Sequence, residues 1–245
     1  MNKTNYILSA FFLSMMLTTS CEKDHLFDCL KSTGPIASES RDVSDFNRID
    51  VYNNPEVIIT QDNVNSIKVE AGAHIISGIT TEINNGILTI RNENKCNWVR
   101  SYSKTIAVYV HVKKLDIIQH HGSSTISSTN ELQNSTFDLN VWNSGDINLA
   151  IHADSTFARQ HTTVGDMTLT GHSGYCFYYS NGNGFTYDSN LQVNNATVIQ
   201  RGTGDCYVNV SQSMSVEIHD SGNVYYTGNP QISSNVTGAG KLIHQ

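Results

Sequence analysis

The 245-residue sequence predicts an all-β protein folded as a right-handed parallel β-helix, or β-solenoid, with a less regular β half at its N-terminal side. Three observations support this fold class. Glycine-centred turns recur along residues 117–243 between short strands of alternating apolar residues. The composition, with 17 Gly, 3 Pro and 15% charged residues, suits strands and turns. After residue 20 no sustained apolar period of about 3.6 residues occurs, so we expect almost no helix.

The repeat is marked by seven glycines, each at the centre of a short turn. Successive glycines lie 18 to 23 residues apart in the sequence: Gly122, Gly145, Gly165, Gly184, Gly204, Gly222 and Gly240. A near-constant period of this size is typical of stacked supersecondary units, because one such unit cannot bury an apolar face alone. We expect each turn to need a residue with positive φ, a conformation that Gly adopts without a Cβ clash.

Two sets of alternating residues flank each glycine. Residues two and four positions after it, such as Ile147 and Leu149, share one face of a strand. They should stack into an interior column with a rung spacing of about 4.8 Å. A second column lies eight and six residues before each glycine, where Phe157 precedes the charged Arg159. The sequence therefore predicts a core lined by equivalent residues from successive coils.

The coil around Gly184 does not follow this pattern. Its aromatic residues Phe185 and Tyr187 fall one residue out of register with the first column. A one-residue insertion in the segment NGNG would restore that column, since a shift of one residue exchanges the two faces of a strand. We therefore predict that Gly182 and Gly184 lie on either side of the true turn.

The chain is predicted to form one domain, residues 41–243, after a signal peptide (1–20) and a tether (21–40). Residues 117–243 carry the glycine turns, and residues 41–116 form the less regular half. This half is expected to cover the first rung, because an uncovered rung exposes unpaired backbone.

Turn signals and alternation predict strands in the N-terminal half. The pair Asn85-Gly86 is typical of a type I′ hairpin turn. Four alternating apolar residues predict the buried face of a later strand: Ile106, Val108, Val110 and Val112.

Residues 1–20 resemble a bacterial lipoprotein signal. Lys3 provides a positive start, and the apolar run from Tyr6 to Leu17 is too short to span a bilayer. Cys21 would be the acylated residue, and about two acyl chains suffice for stable anchoring. The segment departs from the usual pattern, because Leu17 lies four residues before the cysteine instead of three. Simple secretion, with Cys21 as an ordinary residue, is the alternative.

Four further cysteines are present, and an exported protein permits disulfides. Cys176 and Cys206 fall within predicted strands, which favours buried free thiols. Cys29 lies in the tether and Cys96 in a polar loop, and neither position has a packing role. We therefore predict a disulfide between Cys29 and Cys96 that ties the tether to the domain.

The charge balance limits the possible partners. The formal net charge is −7 and the sequence pI is about 5.7. Nucleic acid and anionic membrane surfaces are disfavoured by electrostatics, so we expect membrane contact through the lipid anchor only.

Acidic residues and histidines form no recognisable catalytic or metal-binding pattern in the sequence. Asp146 and Asp166 follow turn glycines on adjacent coils, but two carboxylates fall short of the six to eight oxygens that Ca²⁺ takes. We expect solvated turn aspartates. None of the 10 histidines has a zinc-site spacing, so surface histidines are expected. We predict no catalytic residue, no metal and no cofactor.

Aromatic residues are concentrated in one stretch of thirteen positions. They are Tyr175, Phe177, Tyr178, Tyr179, Phe185 and Tyr187. Strand alternation places Tyr178 opposite Tyr175, Phe177 and Tyr179, so at least one ring must face outward. Exposed rings on a rigid sheet suit contact with sugars or proteins. The six are candidate ligand contacts, and the alternative is one core face with an isolated surface tyrosine.

Several segments resemble the Bacteroidetes auto-transporter adhesin family that carries the head GIN domain. They include RDVSDFNRIDV, the loop NENKCNWVRSY and the C-terminal segment GNVYYTGNP, and the resemblance spans about residues 29–243. It implies a β-helix similar in shape to pectin lyases, lipoprotein export, and adhesion without catalytic residues. This sequence departs from the family by replacing several GSG turns with HGSS, VGD and NGNG.

Together these observations predict a non-catalytic lipoprotein of the outer membrane that binds a glycan or protein ligand through a rigid repeat surface, on either the outer or the periplasmic side. One alternative is a structural or assembly module of the envelope that acts through protein association, including homo-oligomers formed at the end near residues 241–245. A more distant alternative is a polysaccharide lyase or hydrolase, which needs clustered carboxylates.

Overall fold

A computed structural model describes residues 32–95 and 105–245. The predicted signal peptide, residues 21–31 of the tether with Cys21, and the Cys29–Cys96 bridge lie outside the described residues. The predicted end of the tether at residue 40 is wrong, because residues 36–40 belong to a strand, Ile36–Arg41, that pairs with Ser66–Gly72. All the described strands belong to one compact unit, residues 33–94 and 102–245, and almost all of the second unit, 1–32 and 95–101, is outside the described part. Strands make up 69% of the described residues and form a parallel β-solenoid of about six turns, which confirms the predicted fold class.

Sixteen strands in the described residues are joined by hydrogen bonds into one continuous sheet. A short 3-10 helix, Ile76–Gly78, lies between two of them. In chain order the strands are β1 (Ile36–Arg41), β2 (Arg48–Asn53), β3 (Glu56–Gln61), β4 (Ser66–Gly72), β5 (Ile79–Asn84), β6 (Ile87–Asn92), β7 (Ala107–Val112), β8 (Ile117–Gly122), β9 (Thr125–Val141), β10 (Asp146–Thr163), β11 (Met167–Gly182), β12 (Thr186–Gln200), β13 (Cys206–Ile218), β14 (Val224–Thr227), β15 (Gln231–Val236) and β16 (Leu242–His244).

The long strands β9 to β13 each pair in parallel with the strand one coil later. Ile147 pairs with Met167 and Cys206 pairs with Val224, and all four are buried. The column predicted after the glycines therefore lines the core. Parallel strands buried in this way bury their backbone polar groups in the ladder and their apolar side chains in the interior.

The N-terminal half continues the parallel ladder and then ends it. Ile49 of β2 pairs with Ile118 of β8, and Val57 of β3 pairs with Ile126 of β9. Beyond them β6 and β7 pair in parallel with β2 and β3. The outermost pairings are antiparallel: β4 with β7, β1 with β4, and β5 with β6. These strands cover the parallel edge, as the sequence predicted.

The predicted hairpin and buried strand face of this half are both present. β5 and β6 turn at Asn85 and Gly86, whose φ values of 52° and 77° fit a type I′ turn. The four apolar residues of the later segment are all buried: Ile106, Val108, Val110 and Val112.

The predicted insertion at NGNG is wrong. Thr186 pairs with Met167 on one side and with Cys206 on the other, so this coil is in register. Thr186 and Asp188 fill the interior column, with exposures of 2% and 0%. The aromatic residues on either side of Thr186 project outward instead. The apolar pattern gave the wrong register for this coil, because two polar side chains occupy its core positions.

The extra residue lies one coil earlier, at Thr162. Its φ is 39°, and the pairing of β10 with β11 shifts beside it, as at a β-bulge. As a result Thr156 and Ala158 join the second interior column. Phe157 and Arg159, which the sequence placed in that column, project outward. The bulge therefore delivers an aromatic ring and a guanidinium to the outer surface.

Six of the seven repeat glycines stack in one column. A Cβ on any of five of them would overlap the carbonyl oxygen of the glycine one coil earlier: Gly165, Gly184, Gly204, Gly222 and Gly240. A Cβ on Gly145 would overlap the carbonyl oxygen of Ser124. The position below Gly145 in the column is therefore taken by Ser124, and Gly122 belongs to a neighbouring column. None of the seven has a positive φ, contrary to expectation. These turns need glycine because the backbones of successive coils approach closely.

Candidate ligand-binding face

The strand segments that precede the glycine turns present their outward side chains on one face. We call this the aromatic face; it comprises the outward residues of β2, β8 and the C-terminal halves of β9 to β11. Pairing aligns them in columns, for example Asp138 with Phe157 and Phe157 with Phe177. Its members are Arg48, Asp50, Tyr52, Ile117, Gln119, His121, Thr136, Asp138, Asn140, Trp142, Ser155, Phe157, Arg159, His161, Tyr175, Phe177 and Tyr179.

Five rings of this face form a ladder along the solenoid axis. Tyr52 stacks on His121 with 4.8 Å between ring centroids, and His121 stacks on Trp142 at 5.9 Å. Trp142 and His161 are 3.8 Å apart and 6° from parallel. Tyr179 follows His161 at 5.7 Å, tilted by 45°. The rung spacing of a parallel sheet favours such stacking, because equivalent side chains recur at nearly the stacking distance.

Polar contacts hold the ring ladder in place. Trp142 donates from Nε1 to Oε1 of Gln119 at 2.7 Å. His161 Nε2 and Oδ1 of Asn140 are 2.9 Å apart, and the guanidinium of Arg91 lies 3.8 Å from the ring centroid of Tyr52. Trp142 remains 45% exposed. The aromatic face is thus pre-organised, which reduces the entropy lost when a ligand binds.

The histidines of the ladder favour the neutral form. Burial lowers the pKa of His121. Burial also lowers the pKa of His161, and the nearby charge of Arg159 lowers it further. Uncharged imidazoles near pH 7 keep this part of the surface apolar apart from its hydrogen-bonding edges.

A charged pair lies beside the ladder. Arg159 forms an ion pair with Oδ1 of Asp138, and the same oxygen accepts from Nδ2 of Asn140 at 2.7 Å. The guanidinium of Arg159 lies 4.9 Å from the ring centroid of Phe157 and 5.7 Å from that of Phe177. Both the ion pair and the ring contacts fix the direction of this arginine.

An open groove with a volume of about 450 Å³ lies at the edge of the aromatic face. It is lined by Lys114, Asp116, Ile117, Asn134, Ser135, Thr136, Asp138, Phe157 and Arg159. Burial alone would raise the pKa of Asp116, but hydrogen bonds from Asn134, Lys114 and Asn47 outweigh it and lower the pKa. The groove combines an apolar surface with fixed polar groups, as small-molecule sites commonly do.

The six aromatic residues predicted to contact a ligand do not form one cluster. Tyr175, Phe177 and Tyr179 lie half-buried on the aromatic face. Tyr178 is 1% exposed and packs in the core, so its prediction as a ligand contact is wrong. The reason is strand alternation: Tyr178 continues the interior column of Ala158 and Val198.

The remaining two, Phe185 and Tyr187, lie on a different outer surface, formed by the strands that follow the glycine turns. There they stack with Tyr207 and Tyr225 at centroid distances of 5.6, 5.7 and 4.7 Å. We call these four residues the tyrosine stack. Tyr187 is 43% exposed.

Buried polar side chains brace the glycine turns from inside, and sequence reasoning missed them. Gln200 donates from Nε2 to O of Gly204 at 2.7 Å and accepts from N of Gly202 at 2.9 Å. His120 makes the equivalent pair of bonds to O of Ser124 and N of Gly122. His120 is 0% exposed, so the expectation of surface histidines is wrong for it. In both cases the polar residue lies four positions before the turn residue whose carbonyl it binds, and this spacing was the signal available in the sequence.

The aspartates after the turn glycines also support the fold. Asp146 Oδ1 accepts from N of Asp166 at 2.9 Å, and Asp166 Oδ1 accepts from N of Phe185 at 2.8 Å. Asp205 Oδ1 accepts from N of Asn223 at 2.8 Å. Each carboxylate therefore binds the backbone of the next coil instead of being only solvated. In the sequence, the recurring Gly-Asp and Gly-Asn pairs indicated this role.

The core contains titratable groups that the aromatic face does not use. Cys176 and Cys206 are buried free thiols, and burial raises the pKa of each. Asp188 accepts at Oδ1 from N of Leu169, whereas its Oδ2 and the hydroxyl of Tyr178 have no hydrogen-bond partner among the described residues. Burial raises the pKa of Asp188 well above its usual range and so favours its protonated form.

Within residues 32–95 and 105–245, no group of three or more His, Cys, Asp or Glu side chains is placed to hold a metal ion. Across the same ranges, no helix has the length and apolarity needed to cross a bilayer.

Comparison with solved structures shows the same fold in proteins of low sequence identity. A "putative adhesin" from Bacteroides fragilis has a TM-score of 0.81 and 20% identity, covering 86% of this chain and 97% of that one. A "putative adhesin" from Parabacteroides distasonis has a TM-score of 0.68 and 18% identity, covering 86% and 98%. A "putative adhesin" from Parabacteroides merdae has a TM-score of 0.63 and 15% identity, covering 87% of this chain and 98% of that one. Comparison with curated proteins found no match.

A family model describes the sequence as well. The model of the family described as "Putative auto-transporter adhesin, head GIN domain" matches residues 45–230, which is more than half of the chain. The match begins just before β2 and ends after β14, so it includes the aromatic face and six of the seven glycine turns, all but the turn at Gly240. The chain therefore belongs to the auto-transporter adhesin family with the head GIN domain.

Proposed function

We propose that this protein is a non-catalytic adhesin of the cell envelope that binds a surface ligand through its aromatic face. The observation that carries the proposal is the ladder from Tyr52 to Tyr179, an aligned row of rings with fixed polar edges on a rigid sheet. Aromatic side chains bury much area at low entropic cost, which suits binding without chemistry. The family is named for adhesion, a role at the cell surface or in the envelope.

Binding without catalysis is supported by the state of the carboxylates in the groove. Asp116 is paired with Lys114 and Asp138 with Arg159. The pKa of Asp116 is lowered, whereas a general acid needs a raised pKa to hold its proton near neutral pH. We therefore propose that these groups orient a ligand and do not transfer protons to it.

For the location, we propose a lipid anchor at Cys21 in the outer membrane. The support is the sequence of residues 1–20 and the role of the family. Metabolic labelling with an alkyne fatty acid should mark the wild-type chain and not Cys21→Ala. Protease treatment of intact cells should remove the domain if it faces outward, and protection of the domain would place it on the periplasmic side.

Adherence of cells that carry the full-length chain tests the function. Trp142→Ala should reduce adherence to host-cell or matrix-coated surfaces by about tenfold or more, the effect of losing a central aromatic anchor. Tyr225→Ala, in the tyrosine stack, is the matched control and should keep adherence. Equal adherence of wild type, Trp142→Ala and cells without the protein would refute the adhesin assignment.

One observation favours a second function, assembly with another envelope protein. Strand β15 pairs with β13, and its core-column residues Ile232 and Val236 are 39% and 46% exposed, since no other strand of the described residues pairs with β15 on its far side. An uncovered parallel edge with apolar residues can receive a further strand. Crosslinking of intact cells, followed by sizing, should show a specific adduct that Ile232→Lys abolishes if this end is an assembly site.

A further inference from the structure

We propose that the groove at the edge of the aromatic face binds one sugar unit of an uncharged glycan. This rests on the proposed function and narrows its ligand to a chemical class. Apolar surface, hydrogen-bonding groups and balanced charge coincide in this groove.

The shape of the groove suits a single ring. Ile117 pairs with Asp138, and Asp138 pairs with Phe157, so the three side chains form one outward column across three coils. Ile117 and Phe157 supply apolar contact on either side of a carboxylate. A volume of about 450 Å³ lies in the lower part of the range for small-molecule sites, roughly 300–1,000 Å³. A pyranose, with its C–H faces and hydroxyl rim, has matching chemistry.

The hydrogen-bonding groups of the groove are already held in place. Asn134 donates from Nδ2 to Oδ1 of Asp116 at 2.7 Å, and Asp116 also accepts from Asn47 at 2.6 Å. Oδ1 of Asp138 accepts hydrogen bonds from Arg159 and Asn140, while no group among the described residues donates to its Oδ2. Oδ2 of Asp138 is therefore available to accept from a hydroxyl, and a bond to an ionised acceptor is stronger than a neutral one.

The charges of the groove cancel in pairs. Lys114 Nζ lies 3.1 Å from Oδ1 of Asp116, and Arg159 is paired with Asp138. Two cations and two carboxylates leave no net charge in the groove to attract an ionic ligand. An anionic sugar would meet the carboxylates, and a cationic one would meet Lys114 and Arg159. Hydroxyl groups both donate and accept, so an uncharged sugar can satisfy both kinds of partner.

The aromatic residues stabilise the groove as well as line it. Phe157 is contacted by Phe177 at 6.3 Å and by the edge of Tyr175 at 6.5 Å between centroids. The guanidinium of Arg159 over the same ring is directed to Asp138. This support keeps the site in one geometry before the ligand arrives, which favours affinity.

The test uses the purified full-length chain in detergent on an array of neutral, sialylated and sulfated oligosaccharides, followed by titration calorimetry with the best neutral binder. Wild type is expected to bind neutral oligosaccharides. Asp138→Asn, which keeps the shape of the side chain, should weaken binding at least tenfold, about the effect of losing one hydrogen bond to a charged group. Phe157→Ala should weaken it similarly, and Tyr207→Phe in the tyrosine stack should not. Thermal melts confirm that each variant is folded.

Three results would overturn the inference: no binding to neutral oligosaccharides, binding restricted to sialylated or sulfated ones, or neutral binding that both groove variants leave intact. The adherence assay separates this failure from failure of the proposed function. If cells still adhere through Trp142 while the chain binds no neutral glycan, the adhesin assignment stands and the groove is not its glycan site. If adherence is also absent, both fail.

Discussion

The carbonyl oxygen of Gly184 occupies the place where a Cβ on Gly204 would lie. The same relation recurs from coil to coil along the column, so the close approach of successive turns excludes any side chain there. The parallel ladder fixes the distance between coils, so at this edge of the solenoid, where the aromatic face ends, no room is left for a methyl group.

Replacing Gly204 by Ala should destabilise the protein by on the order of 3 kcal/mol, because the backbone must shift to admit the methyl group. Chemical denaturation followed by circular dichroism measures the change. Ser221→Ala, at an exposed position in the next turn, is the control and should stay within about 0.5 kcal/mol of wild type. A Gly204→Ala variant as stable as this control would show that the column has room to expand.

His120 predicts a loss of stability in acid. Burial lowers the pKa of His120, so the folded state keeps it neutral while the unfolded state binds a proton below about pH 6.5. The free energy of unfolding should therefore fall as the pH drops below that value, by up to about 1.4 kcal/mol per pH unit from this group. Urea melts between pH 5 and 7 measure the slope.

The variant His120→Gln provides the matched comparison. Gln200 makes the same two bonds to its turn, so glutamine should retain them at position 120 while removing the titration. The acid slope should then become shallower. If His120→Gln and wild type have equal slopes, His120 is not the titrating group.

Asp188 predicts the opposite dependence on pH. Burial raises its pKa well above the usual range, so above about pH 3.9 the unfolded state releases a proton that the folded state retains. Its contribution to stability is complete below that pH and decreases as the pH rises towards the raised pKa. Asp188→Asn keeps an acceptor for N of Leu169 and cannot ionise. The variant should gain stability relative to wild type between pH 5 and 8, by urea melts; a pH-independent difference would contradict a protonated Asp188.

The aspartates after the turns should act through hydrogen bonds and not through calcium. Asp166→Ala removes the acceptor for N of Phe185 and should cost about 1–2 kcal/mol, whereas Asp166→Asn retains an acceptor and should stay close to wild type. Thermal melts with 1 mM EDTA or about 1 mM Ca²⁺, a concentration typical of extracellular calcium sites, should coincide for all three proteins. A calcium-dependent rise in the melting temperature of wild type alone would restore the metal hypothesis.

The glycine period was sufficient to predict the solenoid, and the alternation around Ile147 and Val208 was sufficient to predict the first interior column. Both are local, repeated signals, and each coil reinforces the same interpretation. The second column was predicted in part, because the bulge at Thr162 moves Thr156 inward and Phe157 outward. A bulge adds one residue without any characteristic residue type, so the pattern alone could not locate it.

The candidate site was harder to predict than the fold. The sequence identified Tyr175, Phe177 and Tyr179, which lie close together in the chain. It did not identify Tyr52, His121 and Trp142, because these residues are separated by coils and become neighbours only when the strands stack. The polar core residues Thr186 and Asp188 were missed because burial of a carboxyl group runs against the general preference for apolar interiors.

By itself the sequence determined the class of fold, the edge at which the coils turn and the approximate number of residues in each coil, because these properties recur in every repeat. The tertiary structure alone decided which rings meet in one ladder, which carboxylates pair with Arg159 and Lys114, and where the register slips. These depend on residues about twenty positions or more apart in the chain being brought side by side by parallel pairing, and no local pattern encodes that proximity.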